Sequence, residues 1–247
     1  MGEMNYGRIC RMEIQIAVAK VNRYAETESG DTVEIIERPS GGLSVVMADG
    51  QLSGMGNKSM STFVVRKLIS FLSEGVSDGA AARMTSEFLF VEKKGFVTAT
   101  LNIFSVDFQT NTLLITRNNP TPVIIAYGEN IRQLGDESSP IGSQKDIRPW
   151  LTELPLENGL TAIMFTDGLV LAGSRFREEM DLSSNIQCLL EDEGASPQSI
   201  ADSLLQQAKR LDQNRPVDDI SIVVLRVAPG LNDGVRRMDV RLPFSPE

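Results

Sequence analysis

The sequence predicts an α+β fold, with helices segregated from antiparallel strands, and three observations carry that prediction. Strand-like apolar runs occur at both ends and in the middle of the chain. Two helix-like patterns stand side by side between them, and the middle strands are joined by turns too short for crossover helices. Ile14 to Val21 reads as the first strand, followed by a polar turn through Glu26, Glu28, Ser29, Gly30 and Asp31. Thr32 to Glu37 is the second strand, and Pro39-Ser40-Gly41-Gly42 is a tight turn. Leu43 to Ala48 is a short, continuously apolar run of the buried-strand kind, ending at Asp49-Gly50.

Two amphipathic helices follow. Met60, Phe63, Val64, Leu68, Phe71 and Leu72 recur at helical spacing, as do Ala80, Ala81, Met84, Phe88 and Val91. Each set is expected to lie on a sheet, with Asp78-Gly79 serving only as a helix start. Next, Val97, Ala99, Leu101 and Ile103 alternate with Thr98, Thr100 and Asn102, the period of a half-buried strand. Asp107 to Asn111 turns that strand back into Leu113 to Thr116. Val123 to Ile125 and Ile131 to Leu134 flank another turn at Gly128-Glu129-Asn130.

Leu160 to Phe165 is again a buried strand, and it ends at Asp167-Gly168. Ser196-Pro197 gives a helix cap with proline at the first helical position. Ile200, Leu204, Leu205, Ala208 and Leu211 form that helix's inner stripe. Asp218-Asp219 opens the last long strand, Ile220 to Val227. The expected organisation is a leader over residues 1–13, a catalytic unit over 14–228 and a charged tail over 229–247. In that tail Met238 to Leu242 is a candidate edge strand.

Composition narrows the chemistry. With 41% hydrophobic and 23% charged residues in 247, the chain has the balance of a soluble globular protein. The net charge of −9 repels phosphate backbones and argues against nucleic acid as a partner. No run approaches the ~20 apolar residues of a membrane span. Arg8, Arg11 and Glu13 interrupt the apolar pieces near the N-terminus, unlike a signal peptide. Cys10 and Cys188 are too few for a disulfide framework, so a reducing, cytoplasmic setting is expected. The chain has no histidine, which excludes Ser-His-Asp and Cys-His catalysis and histidine metal sites.

What remains is carboxylate, hydroxyl, lysine, arginine or bound-metal chemistry. Asp31, Asp49, Asp167 and Asp218 each stand at the end of an apolar strand. Strand ends can bring carboxylates to one rim and hold them rigid, which suits a hard cation. Asp-Gly is also a common turn dipeptide, and at any one position a turn is the commoner explanation. Composition and spacing go no further than a candidate carboxylate metal site.

The blocks Ala48-Asp49-Gly50 through Gly54, Phe165-Thr166-Asp167-Gly168 and Asp218-Asp219-Ile220-Ser221-Ile222-Val223-Val224 resemble the signatures of PPM (type 2C) phosphatases. The similarity is to the bacterial SpoIIE-like branch that includes the RsbU and RsbX regulators. Supporting blocks are Ser29-Gly30-Asp31, Ala99-Thr100-Leu101, Asn119-Pro120-Thr121-Pro122 and Pro140-Ile141-Gly142. The blocks run in the family's order from roughly Ile14 to Val227.

This resemblance implies a central β-sandwich of two antiparallel sheets with helices on both outer faces. It implies two Mn²⁺ or Mg²⁺ ions, bridged by Asp49, with the Gly50 carbonyl as a further ligand. Asp167 and Asp218 would complete one ion's site and Asp31 would support the other, with Asp219 beside them as a supporting residue or substitute ligand. The implied activity is removal of phosphate from serine or threonine of a bacterial regulatory protein, of the STAS-domain or stressosome type. No accompanying sensor domain is expected from these residues, so a partner, expression level or the packing of the first two helices would be expected to set activity. Two features depart from the family pattern. Leu52 stands where glycine is usual, and no arginine aligns as a phosphate clamp, leaving Arg11, Arg23 and Lys58 as candidates. Rival readings are a pseudophosphatase that docks a phosphoprotein and a hydrolase of small phosphoesters. Oligomeric state is open.

Overall fold

A computed structural model describes residues 12–51, 57–128, 130–136, 138–192, 194–230 and 233–243. One sheet runs in the order β1 (Met12–Val21), β10 (Ile220–Pro229), β9 (Leu160–Phe165), β6 (Val123–Tyr127) and β7 (Asn130–Leu134). The other runs β2 (Asp31–Glu37), β3 (Leu43–Gln51), β4 (Thr98–Asp107), β5 (Thr112–Asn118) and β8 (Trp150–Pro155). All the pairings are antiparallel. The helices are α1 (Asn57–Ser73), α2 (Asp78–Lys93), α3 (Asp167–Leu171), α4 (Leu182–Leu190) and α5 (Pro197–Leu211).

The apolar run at Leu43 to Ala48 is explained by burial on both faces of β3. Val45 and Met47 point between the sheets with Phe104, Ile115, Met164 and Val223. Val46 and Ala48 point outward, beneath Val64, Leu68 and Leu72 of α1. On the opposite face of the sandwich, Ile200, Leu204 and Ala208 of α5 cover Ile222 and Val224 of β10. The result is the four-layer α+β sandwich that the sequence resemblance implied. Each fully buried Leu or Ile contributes about 1.5–3 kcal/mol of apolar transfer.

The cap of α5 is as its sequence suggests: Ser196 accepts from the Ser199 amide at 3.0 Å and Pro197 opens the helix. Helix α2 differs from expectation. Its buried face is Asp78, Ala81, Ala82, Thr85, Ser86 and Leu89, whereas Met84, Phe88 and Val91 are exposed. Small and hydroxyl-bearing residues let this helix lie close on the sheet, and the bulky ones turn toward α1, where Phe88 stacks on Phe63. Asp78 is more than a helix start. It is buried and ion-paired to Arg38 at 2.9 Å, and it also accepts from the Ser105 hydroxyl. Helices α3 and α4 are additional to the elements read from sequence, and Met238 to Leu242 join neither sheet.

Candidate metal centre

The inward row of β1 is Ile14, Ile16, Val18 and Lys20, and that of β10 is Ser221, Val223 and Leu225. In both strands the row turns polar at the same end of the sandwich. There Asp31 at the start of β2 stands opposite Asp49 of β3. Both backbone groups of Asp31 are engaged off the ladder. Its amide donates to Ser29 Oγ at 3.2 Å, and its carbonyl accepts from Lys20 Nζ at 2.5 Å and Lys58 Nζ at 2.8 Å. That is the behaviour of a non-hydrogen-bonded antiparallel pair, the kind whose side chains stand closest.

The Asp31 carboxylate is 1% exposed and accepts from Ser221 Oγ at 2.7 Å and Thr166 Oγ1 at 3.1 Å. These hydroxyls belong to the other sheet, so the bonds close the sandwich at this end. Thr166 and Ser221 are also tied to each other: the Thr166 amide donates to the Ser221 carbonyl, and the Ser221 amide to Thr166 Oγ1, both at 3.0 Å. This junction places Asp167, the first residue of α3, beside Asp218, which precedes β10. Gly168 makes the approach feasible, because a Cβ there would lie 2.1 Å from the Asp219 carbonyl oxygen.

Asp219 has a different task from its neighbour. Its carboxylate accepts from the Arg23 amide at 2.9 Å and the Gly30 amide at 2.8 Å, fastening both ends of the loop between β1 and β2. Gly50 is buried within β3, directly after Asp49.

Electrostatics tie the acids together. Burial pushes the Asp49 carboxyl up to about 8, assisted by the charges of Asp31, Asp167, Asp218 and Asp219. Asp31 rises to about 6, mainly through burial, while its bond from Ser221 and the charge of Lys20 pull the other way. Asp167 is raised by burial and then by Asp218. Lys20 is lowered by burial and by neighbouring Lys58. The charges acting most strongly on Asp49 are thus all carboxylates, an arrangement that asks for a cation.

Among the described residues no three acidic or cysteine side chains are gathered tightly enough to hold an ion alone. Hard cations take waters and carbonyl oxygens alongside a few carboxylates. An all-oxygen set on strand ends fits Mg²⁺ or Mn²⁺ and offers nothing to a thiolate-seeking metal. Of the phosphate-clamp candidates, Arg11 lies outside the described residues, as does Leu52. Arg23 is exposed, and Lys58 binds the Asp31 carbonyl. Sequence reading assigned no role to Lys20, Thr166 or Ser221. For Lys20 and Ser221 the signal was a single polar residue in the otherwise apolar inward rows of β1 and β10, and Thr166 likewise follows the apolar inward row Leu160, Ala162 and Met164 of β9.

The family model for Stage II sporulation protein E (SpoIIE) matches residues 39–228. The chain belongs to the SpoIIE family. Stage II sporulation protein E of Bacillus subtilis (strain 168) is 23% identical over 201 residues, covering 81% of this chain and 24% of that protein. The chain therefore spans about a quarter of that relative's length. The structure of the PP2C phosphatase domain with a fragment of the regulatory domain of SpoIIE from Bacillus subtilis superposes with a TM-score of 0.76 at 21% identity. It covers 89% of this chain and 64% of the other. RsbX in complex with magnesium gives 0.67 at 17% identity, covering 88% and 99%. The sandwich seen here is the fold of these phosphatase domains. No helix among the described residues is long and apolar enough to cross a membrane.

Proposed function

We propose that this chain is a metal-dependent protein serine/threonine phosphatase acting on a phosphoserine or phosphothreonine of a bacterial regulatory protein in the cytoplasm. The observation that carries the reading is the Asp49 carboxylate, raised by burial and by four other aspartates around it at the rim of a PP2C-type sandwich. Family membership and the magnesium complex of RsbX support it.

Asp49 and the Gly50 carbonyl would hold two ions, Mn²⁺ or Mg²⁺, jointly. Asp167 and Asp218 would complete one site and Asp31 the other. Cations held there would supply Lewis acidity for activating a water toward phosphorus and for neutralising phosphoryl oxygens. The chain's own part is to preorganise oxygens. Ser221 and Thr166 orient Asp31, Gly168 allows Asp167 to approach Asp218, and Asp219 holds the β1–β2 loop against the site. Absence of histidine leaves water or a carboxyl group to protonate the departing serine or threonine oxygen. The acidic surface favours a protein substrate over a nucleic acid, and a STAS-domain or stressosome-type phosphoprotein suits the family.

The test is hydrolysis of p-nitrophenyl phosphate and of a phosphoserine peptide, with Mn²⁺, with Mg²⁺ and with chelator. Metal-dependent turnover that vanishes in Asp167→Asn supports the assignment. A folded protein inert with every metal on both substrates overturns it.

A further inference from the structure

Lys20 and Lys58 donate to one carbonyl oxygen, that of Asp31. They arrive from different layers. Lys20 comes from β1 in the opposite sheet, and Lys58 from the second residue of α1 on the outer face. Among the described residues strand β2 is the last on its side of the sheet, so no ladder bond from them would otherwise hold this carbonyl. The neighbouring groups receive the same treatment. Ser61 of α1 donates to the Gly30 carbonyl, and Lys58 Nζ lies 3.1 Å from Thr32 Oγ1, which also contacts Ser61 Oγ at 2.8 Å.

Two ammonium groups on one oxygen repel each other, and that cost is tolerated only where something compensates. Burial and Lys58 lower Lys20, and the Asp31 and Asp219 carboxylates offset part of that by favouring its charged form. The pair fixes the peptide plane that follows Asp31. With the carboxylate bonded to Ser221 and Thr166 at its other end, the residue is held on both sides of its Cα.

We propose that Lys20 and Lys58 are positioning residues that set Asp31 for cation binding, taking over at an open sheet edge the work of a missing ladder bond. The inference rests on Asp31 being a metal ligand, as proposed above. A role in gripping substrate phosphate is the competing use of the same charges, and the two differ in what they change.

The experiment compares wild type with Lys20→Met and Lys58→Met, each separately, by calorimetric titration with Mn²⁺ and by steady-state kinetics on a phosphoserine peptide. Methionine keeps the stem and removes the charge, and metal-free thermal unfolding verifies folding. The expected result is Mn²⁺ affinity about 10–100-fold weaker in each variant, typical of residues that support metal ligands. At saturating Mn²⁺, kcat and KM should return to within about twofold of wild type. Unchanged Mn²⁺ affinity with a raised KM overturns the proposal in favour of phosphate contact. Unchanged affinity and kinetics in both variants overturn it outright. A wild type that neither binds Mn²⁺ nor turns over removes the phosphatase reading itself, which the lysine variants alone cannot do.

Discussion

Asp31 and Asp49 face each other across the β2–β3 ladder, and the carboxyl groups of both lie well above their ordinary range. A buried acid and a half-buried one side by side cannot both ionise without cost. A divalent cation beside them would offset that cost, as the proposed metal site requires.

Replacing Asp49 with asparagine therefore has opposite effects on stability and activity. The neutral isostere removes the cost of burying that charge and the repulsion with four carboxylates. The metal-free variant should melt higher than metal-free wild type, by about 2–4 °C for each kcal/mol relieved. Metal-dependent turnover should fall at least about 100-fold, by analogy with loss of a single strong electrostatic contributor. Differential scanning calorimetry with chelator, paired with a turnover assay, reads both.

The same shifts fix a pH dependence. Asp31 and Asp49 bind protons more tightly when folded than when unfolded, where a carboxyl titrates near 4. Their contribution to metal-free stability is present at low pH and is lost as pH rises from about 4 through about 6 for Asp31 and about 8 for Asp49. Cation binding must expel those protons, so Mn²⁺ affinity should rise with pH over the same interval. Titrations at pH 6 and pH 8 should differ by about tenfold or more, with proton release visible as a buffer-dependent heat.

Asp219→Ala should separate loop anchoring from ligation. The substitution strands the buried Gly30 amide, a loss of about 1–3 kcal/mol, whereas the exposed Arg23 amide can turn to water. Its main effect should be a lower melting temperature, whereas Asp218→Asn should chiefly weaken Mn²⁺ binding. Melting and metal titration of the two variants side by side test the division of labour.

Away from the site, Asp78→Ala leaves Arg38 buried without its partner. Breaking such a pair costs about 3–5 kcal/mol, so urea unfolding should show a fall of that size in the free energy of unfolding. Metal affinity of the folded fraction should change little.

Much of this was legible in the sequence, and the exceptions have physical causes. The buried strands and α5 were legible because apolar pattern, cap and turn all agree in those segments. The exposed stripe of α2 was misread because Met84, Phe88 and Val91 follow helical spacing yet pack toward α1 or solvent, while alanine, serine and threonine make the close contact with the sheet. Asp49, Asp167 and Asp218 stand in quotable motifs. Lys20 and Lys58 do not, because their shared target is a backbone oxygen and backbone atoms leave no mark in a sequence. Asp219 differs from Asp218 only in which amides lie within its reach, a fact of tertiary structure.

The central claim is that the carboxylates around Asp49 form a cation site, and calorimetric titration of Mn²⁺ into wild type and Asp49→Asn tests it most directly. Saturable binding to wild type, weakened at least about tenfold by the substitution, is the predicted result. Equal binding by both proteins, or none by a folded wild type, would contradict it.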